Sequence, residues 1–308
     1  MKIVTTYKNP DLDGVASAIV YSEYLASGDV LPRFAGSLNM ETRGVLAELR
    51  MSEPGLLEEV NGLRWDDVVL VDCHHRAQLP HVDDLTAVSV VIDHHPDGDA
   101  SAFPHADIQN ELVGAAATLV AERIAARSEA GLEGLTAEHA VLLACAIASN
   151  TLDFAAPSVT ARDRASFEGL VAASGRGAQV EALTSKMRIW RQTFLSLPTK
   201  EAVQQDIKVI DGSFGQIAVS QLEADGASNL LDREDLLENL EQLIEEMDVD
   251  ASLLSLVDTA MGTTTLVTAD PRVRELLMTL SPQVVGTVTL RLPFVALRKT
   301  HVIPALTR

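Results

Sequence analysis

The chain has 308 residues, about two domains' worth of sequence, of which 47% are hydrophobic and 22% charged. That is an ordinary globular mixture, long enough to bury a sizeable core without staples. The formal net charge of −20 and the lack of a basic stripe argue against a duplex nucleic-acid binder, so no nucleic-acid partner is expected. A polyanionic substrate would need locally placed cations, either metal ions or Lys and Arg.

The opening run MKIVTTYKNPDLDG shows no secretory leader and predicts a short strand followed by a polar loop. Two cysteines, Cys73 and Cys145, make no disulfide framework and fit a reducing, cytoplasmic location. After the loop, residues 14–28 have helical spacing. DVVLVD (67–72) and VSVVID (88–93) are short, Val-rich apolar runs that suit strands buried on both faces of a parallel sheet. Helical patterns follow over 112–127, 136–148, 160–174 and 178–195. Within them AVLLACAIA (140–148) is the longest apolar stretch. It is roughly half of the ~20 residues a membrane span needs, so it reads as a core helix and no membrane is expected.

The alternation predicts an α/β domain, a parallel sheet with helices on both faces, over residues 1–195. SLPTKEAVQQD breaks the pattern and predicts a linker over 196–205. Strand runs at IKVID, FGQIAVSQLE, ASLLSLVDT, TTTLVTAD and VVGTVTLR, with a long helix over 231–247, predict a smaller mixed α+β domain over 206–308.

Polar clusters fall where the predicted strands end, which is where parallel sheets place their sites. Asn9-Pro10-Asp11-Leu12-Asp13-Gly14 puts two carboxylates in one strand-to-helix turn. A single Asp there would read as a helix N-cap. Asp72-Cys73-His74-His75 ends one Val-rich run and Asp93-His94-His95 ends the other. One such histidine would read as a loop residue. Two carboxylate–imidazole clusters after parallel-type strands point to a metal site, because imidazole with carboxylate suits Mn, Co, Zn or Fe. Two ions sharing a carboxylate clamp a phosphate and lower the pKa of bound water, as phosphoryl hydrolysis requires. Ser149-Asn150-Thr151-Leu152-Asp153 ends the apolar helix, where Asn150 also reads as a C-cap. Leu297-Arg298-Lys299-Thr300-His301 near the C-terminus is a candidate phosphate clamp as well as plain surface charge, with Lys200 a second candidate of the same kind.

Together these clusters resemble the DHH phosphoesterase superfamily, most closely the family II inorganic pyrophosphatases and related exopolyphosphatases. The motifs stand in order as YKNPDLDG, VLVDCHH, VVIDHHPD, Glu111-Leu112-Val113-Gly114 with Ala116-Ala117-Thr118, ASNTLDF and ALRKTHVIPAL, over nearly the whole chain. The resemblance implies an N-terminal catalytic domain, a DHH-associated second domain, and an active site in the cleft between them. It implies two divalent ions, Mn foremost with Co or Mg as alternatives, a small phosphorylated anion as substrate, and a homodimer. By motif match Asp72 bridges the metals, Asp11 holds one ion, and Asp13 with His94 holds the other. Asp72, Asp11 and His95 are thereby the catalytic set. His95, Arg298, Lys299 and Lys200 are the substrate-binding set.

The chain departs from the pyrophosphatase pattern at two metal-ligand positions, with Tyr7 in place of a His and Asn150 in place of an Asp. Tyr7 would have to coordinate as a phenolate, against a reference pKa of ~10. Asn150 would offer a neutral carbonyl oxygen. Cys73, His74 and Asp153 are the candidates to compensate. The leading expectation is a metal-dependent hydrolase of pyrophosphate or short polyphosphate. A phosphodiesterase acting on nucleotides or short oligonucleotides ranks lower, because no GGGH-like stretch is present. A phosphate- or nucleotide-binding protein with weakened catalysis is the non-enzymatic alternative, favoured by Tyr7 and Asn150.

Overall fold

The computed structural model describes residues 1–25, 30–57, 67–79, 82–96, 98–127 and 131–307. They form two compact units, residues 1–187 and 188–308.

The first unit is built on five strands, β1 (Lys2–Thr5), β2 (Val30–Pro32), β3 (Asp67–Val71), β4 (Val88–Asp93) and β5 (Asp107–Asn110). All neighbours are parallel, in the order β2-β1-β3-β4-β5. The chain winds outward from β1 to β2, then returns to the other side of β1 for β3. That reversal opens a crevice at the carboxyl ends of β1 and β3. Six helices accompany the sheet: α1 (Leu12–Leu25), α2 (Met40–Glu48), α3 (Ala116–Arg127), α4 (Ala137–Asn150), α5 (Ala161–Ser174) and α6 (Gly177–Gln192). α1 lies against β1 and β3, α3 lies against β4, and α1, α3 and α5 each pack on α4.

The Val-rich runs become central strands because both of their faces are covered. Val68 and Leu70 meet Val88, Val91, Leu79, Val82 and Phe103 in one apolar cluster. Residues 140–148 of α4 are all buried, which makes this the core helix its composition predicts. Among the described residues no helix is long and apolar enough to cross a membrane. β1 stops at Thr5, so Tyr7 belongs to the turn after it rather than to the strand.

The second unit holds a six-stranded mixed sheet, ordered β10-β11-β9-β8-β7-β6. Its strands are β6 (Ile207–Gly212), β7 (Gly215–Ala224), β8 (Ala251–Asp258), β9 (Thr263–Val267), β10 (Gln283–Val284) and β11 (Thr289–Leu292). Only β7 and β8 run parallel. Its helices are α7 (Thr199–Val203), α8 (Leu236–Met247), α9 (Pro271–Leu277) and α10 (Ile303–Leu306). β8 is buried at every position and serves two cores by alternation. Leu254 and Leu256 face Leu236, Leu240 and Leu243 of α8. Ala251 and Leu253 face Val273 and Leu277 of α9 with Ala305 and Leu306 of α10.

The helix expected over 231–247 starts only at Leu236, after a 3-10 turn over Ala227–Asp232. Arg233 explains the late start, because its guanidinium donates to the carbonyls of Leu195 and Leu197 and holds the chain outside the helix. Residues 193–203 are ordered as a 3-10 turn and α7, with Phe194, Ala202 and Val203 buried in the α8-side core.

Leu254 is fully buried at the centre of that core. Leu254→Ala is expected to destabilise the second unit by about 2–5 kcal/mol. Denaturant unfolding followed by a probe in that unit checks this, and an unchanged midpoint would contradict the packing described.

Candidate metal centre

Three adjacent strand ends, β1, β3 and β4, deliver the polar clusters to one edge of the first sheet. Asp11 follows β1 and caps α1, since its Oδ1 accepts from the amides of Asp13 at 3.0 Å and Gly14 at 3.2 Å. Asp13 therefore does not serve as that cap. It is buried, and its two oxygens accept from the amides of Ala116 at 2.7 Å and Ala117 at 2.8 Å at the start of α3. The positive end of that helix favours a carboxylate there. Asp72, just past β3, is fully buried and has φ +56°. A left-handed conformation costs an L-residue about 1 kcal/mol, and Asp is among the residues that tolerate it. The kink keeps the carboxylate at the strand end, while its amide still bonds the Ile92 carbonyl at 2.8 Å.

Asp93 ends β4 and organises the histidines. Its Oδ1 accepts from His95 Nδ1 at 2.5 Å and from the His94 amide at 2.7 Å, and its Oδ2 pairs with His74 Nδ1. Burial pushes its carboxyl upward. The nearby charge of His95 and the hydrogen bonds from His74 and His95 outweigh burial and hold it well below the usual range. His74 is spent in this role, because its Nε2 meets Asn110 Nδ2 at 3.2 Å. Gly98 must be glycine for that packing, since a Cβ there would lie 1.8 Å from His74 Nε2.

His94 decides what the site can hold. Its Nδ1 donates to the Val113 carbonyl at 2.8 Å, so Nε2 presents a lone pair. That nitrogen faces Asp72 Oδ1 at 3.2 Å and Asp13 Oδ2 at 3.8 Å. Lone pairs converging in a buried place require a cation between them, either a proton or a metal ion. Donor atoms of Asp72, His94 and His95 lie within 4.8 Å of one another, and the imidazole–carboxylate set suits a borderline divalent ion. Asp13 responds to the same crowding. Burial, then the charge of Asp72, raises its carboxyl well above the ordinary range.

The structure thus brings Asp11, Asp13, Asp72, His94, His95, Asn150 and Tyr7 to one region. Tyr7 is buried in an apolar cluster, and its hydroxyl accepts from the Asp11 amide at 3.3 Å. Burial and the charges of Asp11 and Asp72 raise its pKa well above the phenol value, so it favours the neutral form. Asn150 is the last residue of α4. Its Nδ2 donates to the Gly114 carbonyl at 2.9 Å and stands 3.4 Å from His94 Nε2. Asn150 is not the left-handed cap that its residue type allows, since the left-handed residues are Leu152, Asp153 and Phe154.

The other three candidates lie in the second unit. Arg298 is 5% exposed, and its fork bonds both Asp206 carboxylate oxygens at 2.7 and 2.9 Å and the carbonyls of Asp206 and Val219. Lys299 follows in the same irregular turn, and its charge helps to lower the Asp206 carboxyl, behind Arg298. Lys200 pairs with Glu246. Asn110 and Asp163 have roles that motif reading does not reveal. Thr160-x-x-Asp163 has the spacing of a capping box, which signals only a helix start, and Asn110 carries no local signal at all.

The model of the DHH family, N-terminal domain, matches residues 2–147, and that of the DHHA2 domain matches residues 185–308. A manganese-dependent inorganic pyrophosphatase of Methanothrix thermoacetophila is 31% identical over 264 residues, 83% of this chain and 80% of that protein. One from Methanocaldococcus jannaschii is 29% identical over 266 residues, 84% of this chain and 83% of that protein. The crystal structure of a Methanococcus jannaschii protein described as a family II inorganic pyrophosphatase matches with a TM-score of 0.83 at 27% identity, over 99% of this chain and 98% of that one.

The electrostatics predict how pH acts on the metal-free fold. Asp13 has a raised folded pKa, so its stabilising contribution is present below the unfolded value of about 4 and is lost as pH rises through the folded one. Asp93 has a lowered folded pKa, so its contribution is present above about 4 and is lost as pH falls through the folded value. Asp72→Asn removes the charge that raises Asp13 and places a donor beside His94 Nε2. In chelator-treated protein the variant is expected to lose less stability than wild type as pH rises above about 4. Parallel pH–stability curves for the two proteins would contradict the crowding.

Proposed function

The chain belongs to the DHH family and within it to the manganese-dependent, family II inorganic pyrophosphatases, and on that premise we propose that it hydrolyses inorganic pyrophosphate or a short polyphosphate at this centre. The observation that carries the proposal is the group of buried Asp72 and His94 with half-buried His95, His94 Nε2 being aimed at two carboxylate oxygens. Asp72, Asp11, Asp13 and His94 would hold manganese, Asp72 as the ligand common to two ions, Asp11 for one of them and Asp13 with His94 for the other. Bound manganese supplies positive charge that neutralises phosphate oxygens and acidifies coordinated water.

The remaining work falls to the chain's own groups. Asp93 accepts a hydrogen bond from His95 Nδ1, so Nε2 is the atom that the imidazole turns to the substrate. A proton held at that nitrogen meets charge developing on the departing phosphate. Arg298, Lys299 and Lys200 are the cations proposed to receive phosphate, in a chain whose net charge of −20 otherwise repels it. Phosphoryl transfer needs little else, because positioning and charge stabilisation account for most of its catalysis.

A weaker metal centre is the second reading, and Asn150 favours it. An amide whose nitrogen donates to Gly114 and stands beside His94 Nε2 offers hydrogen where a ligand offers a lone pair. Tyr7, held neutral by its surroundings, acts in the same direction.

Phosphate release from pyrophosphate, tripolyphosphate and a dinucleotide, each with Mn, Co or Mg and with metal content measured on the same sample, separates these readings. Mn-dependent release from pyrophosphate or tripolyphosphate is the expected result, and Asp72→Ala should abolish it. Turnover retained in that variant would remove the bridging role. Tyr7→His combined with Asn150→Asp is expected to raise both metal affinity and rate. No gain in either would mean that the centre is built around other ligands.

A further inference from the structure

The segment joining β5 to α3 touches the centre through its backbone alone. The Val113 carbonyl accepts from His94 Nδ1 at 2.8 Å, and the Gly114 amide donates to both oxygens of Asp163 at 2.9 Å. These two groups belong to one peptide unit, which is planar and rigid, with its N–H and C=O pointing in opposite directions. Asp163 and His94 therefore grip the two ends of the same plate. A carboxylate on the N–H end also polarises the peptide and makes its carbonyl a better acceptor. The next carbonyl, that of Gly114, accepts from Asn150 Nδ2.

Asp163 is built for a fixed role. It is fully buried in the first turn of α5. It also accepts from Thr118 Oγ1, from the Thr160 amide and from Thr160 Oγ1, each at 2.7 Å. Burial raises its carboxyl, but those hydrogen bonds outweigh burial and lower it, so it remains a carboxylate. A capping box needs only the Thr160 bonds. The bonds to Gly114 and Thr118 reach across to the start of α3, 49 and 45 residues earlier in the chain. Gly114 has no room to move toward this side, since a Cβ on it would lie 2.6 Å from Thr151 Cγ2 and 3.1 Å from Asp163 Cγ.

We propose that Asp163 is a positioning residue of the metal centre: through the Val113–Gly114 peptide it fixes which nitrogen of His94 carries the proton and where Nε2 points. The consequence for manganese affinity rests on the function proposed above. The consequence for the imidazole does not.

The test uses the full chain. In metal-free protein, nitrogen NMR of the imidazoles reports the His94 tautomer, and calorimetry with manganese reports affinity. Asp163→Asn keeps the shape but loses the charge. It is expected to mix the His94 tautomers and to weaken manganese binding by roughly tenfold to a hundredfold, the range for groups that orient a ligand from behind. Gly114→Ala displaces the same peptide while keeping the Asp163 carboxylate in the chain, its Cβ crowding Thr151 and Asp163, and should do likewise, which keeps the test available if one variant folds poorly. Thr160→Ala removes the cap hydroxyl and with it one bond to Asp163, but leaves the Gly114 and Thr118 bonds that hold the peptide. It should lower thermal stability while leaving the His94 spectrum and manganese affinity unchanged. The proposal is overturned if Asp163→Asn and Gly114→Ala leave the His94 tautomer as in wild type, or if Thr160→Ala disturbs it equally. Wild-type protein that failed to bind manganese would sink the manganese reading, and the nitrogen spectra of the metal-free variants would still decide the role of Asp163.

Discussion

Two buried carboxylates, Asp13 and Asp72, face one imidazole lone pair, and most of the first unit can be understood from that conflict. Like charges in a water-poor place repel, and no arrangement of neutral groups removes the problem. The fold meets it partly with donors: the amides of Ala116 and Ala117 hold Asp13, and the field of α3 adds to them. A cation completes the balance. The site is therefore poised to take up positive charge.

The same logic explains the layer behind it. Asp93 directs His74 and His95 through their Nδ1 atoms, and Val113 directs His94 through its Nδ1. Every imidazole of the centre is thus bonded from behind, which selects the tautomer that presents Nε2. These supports come from strand ends and helix starts rather than from long loops, so they are held by the packing of the sheet. The strained backbone at Asp72 fits this picture, because a buried strand on either side over-determines it.

Tyr7 and Asn150 have different physical characters. Tyr7 is absorbed into an apolar cluster and made a poorer acid by its neighbours. Asn150 is drawn into the backbone network at Gly114, where an aspartate would meet a carbonyl oxygen. Asn150 lowers the negative charge that a metal ion would meet, and a neutral Tyr7 offers a poor ligand without changing that charge. In the second unit the Arg298 guanidinium is engaged by Asp206, so a phosphate would have to compete with an existing carboxylate.

Much of this was legible in the residues. Val-rich runs ending in Asp mark parallel strands and the edge on which their chemistry collects, because side-chain burial and strand direction are local consequences of composition. The ordered motifs identify the family, and with it a two-domain plan whose second domain is a smaller α+β unit. The sequence does not tell that Asp11, rather than Asp13, caps α1, since either carboxylate could reach the same amides. It does not tell that Asp93 and His74 stand behind the centre rather than within it, or that Asp163 and Asn110 belong to it. Those assignments depend on which groups meet in three dimensions: His74 and Asp93 are 19 residues apart, His74 and Asn110 36, and Gly114 and Asp163 49. Such contacts are made by tertiary packing, between side chains and with backbone amides and carbonyls that no residue name reveals.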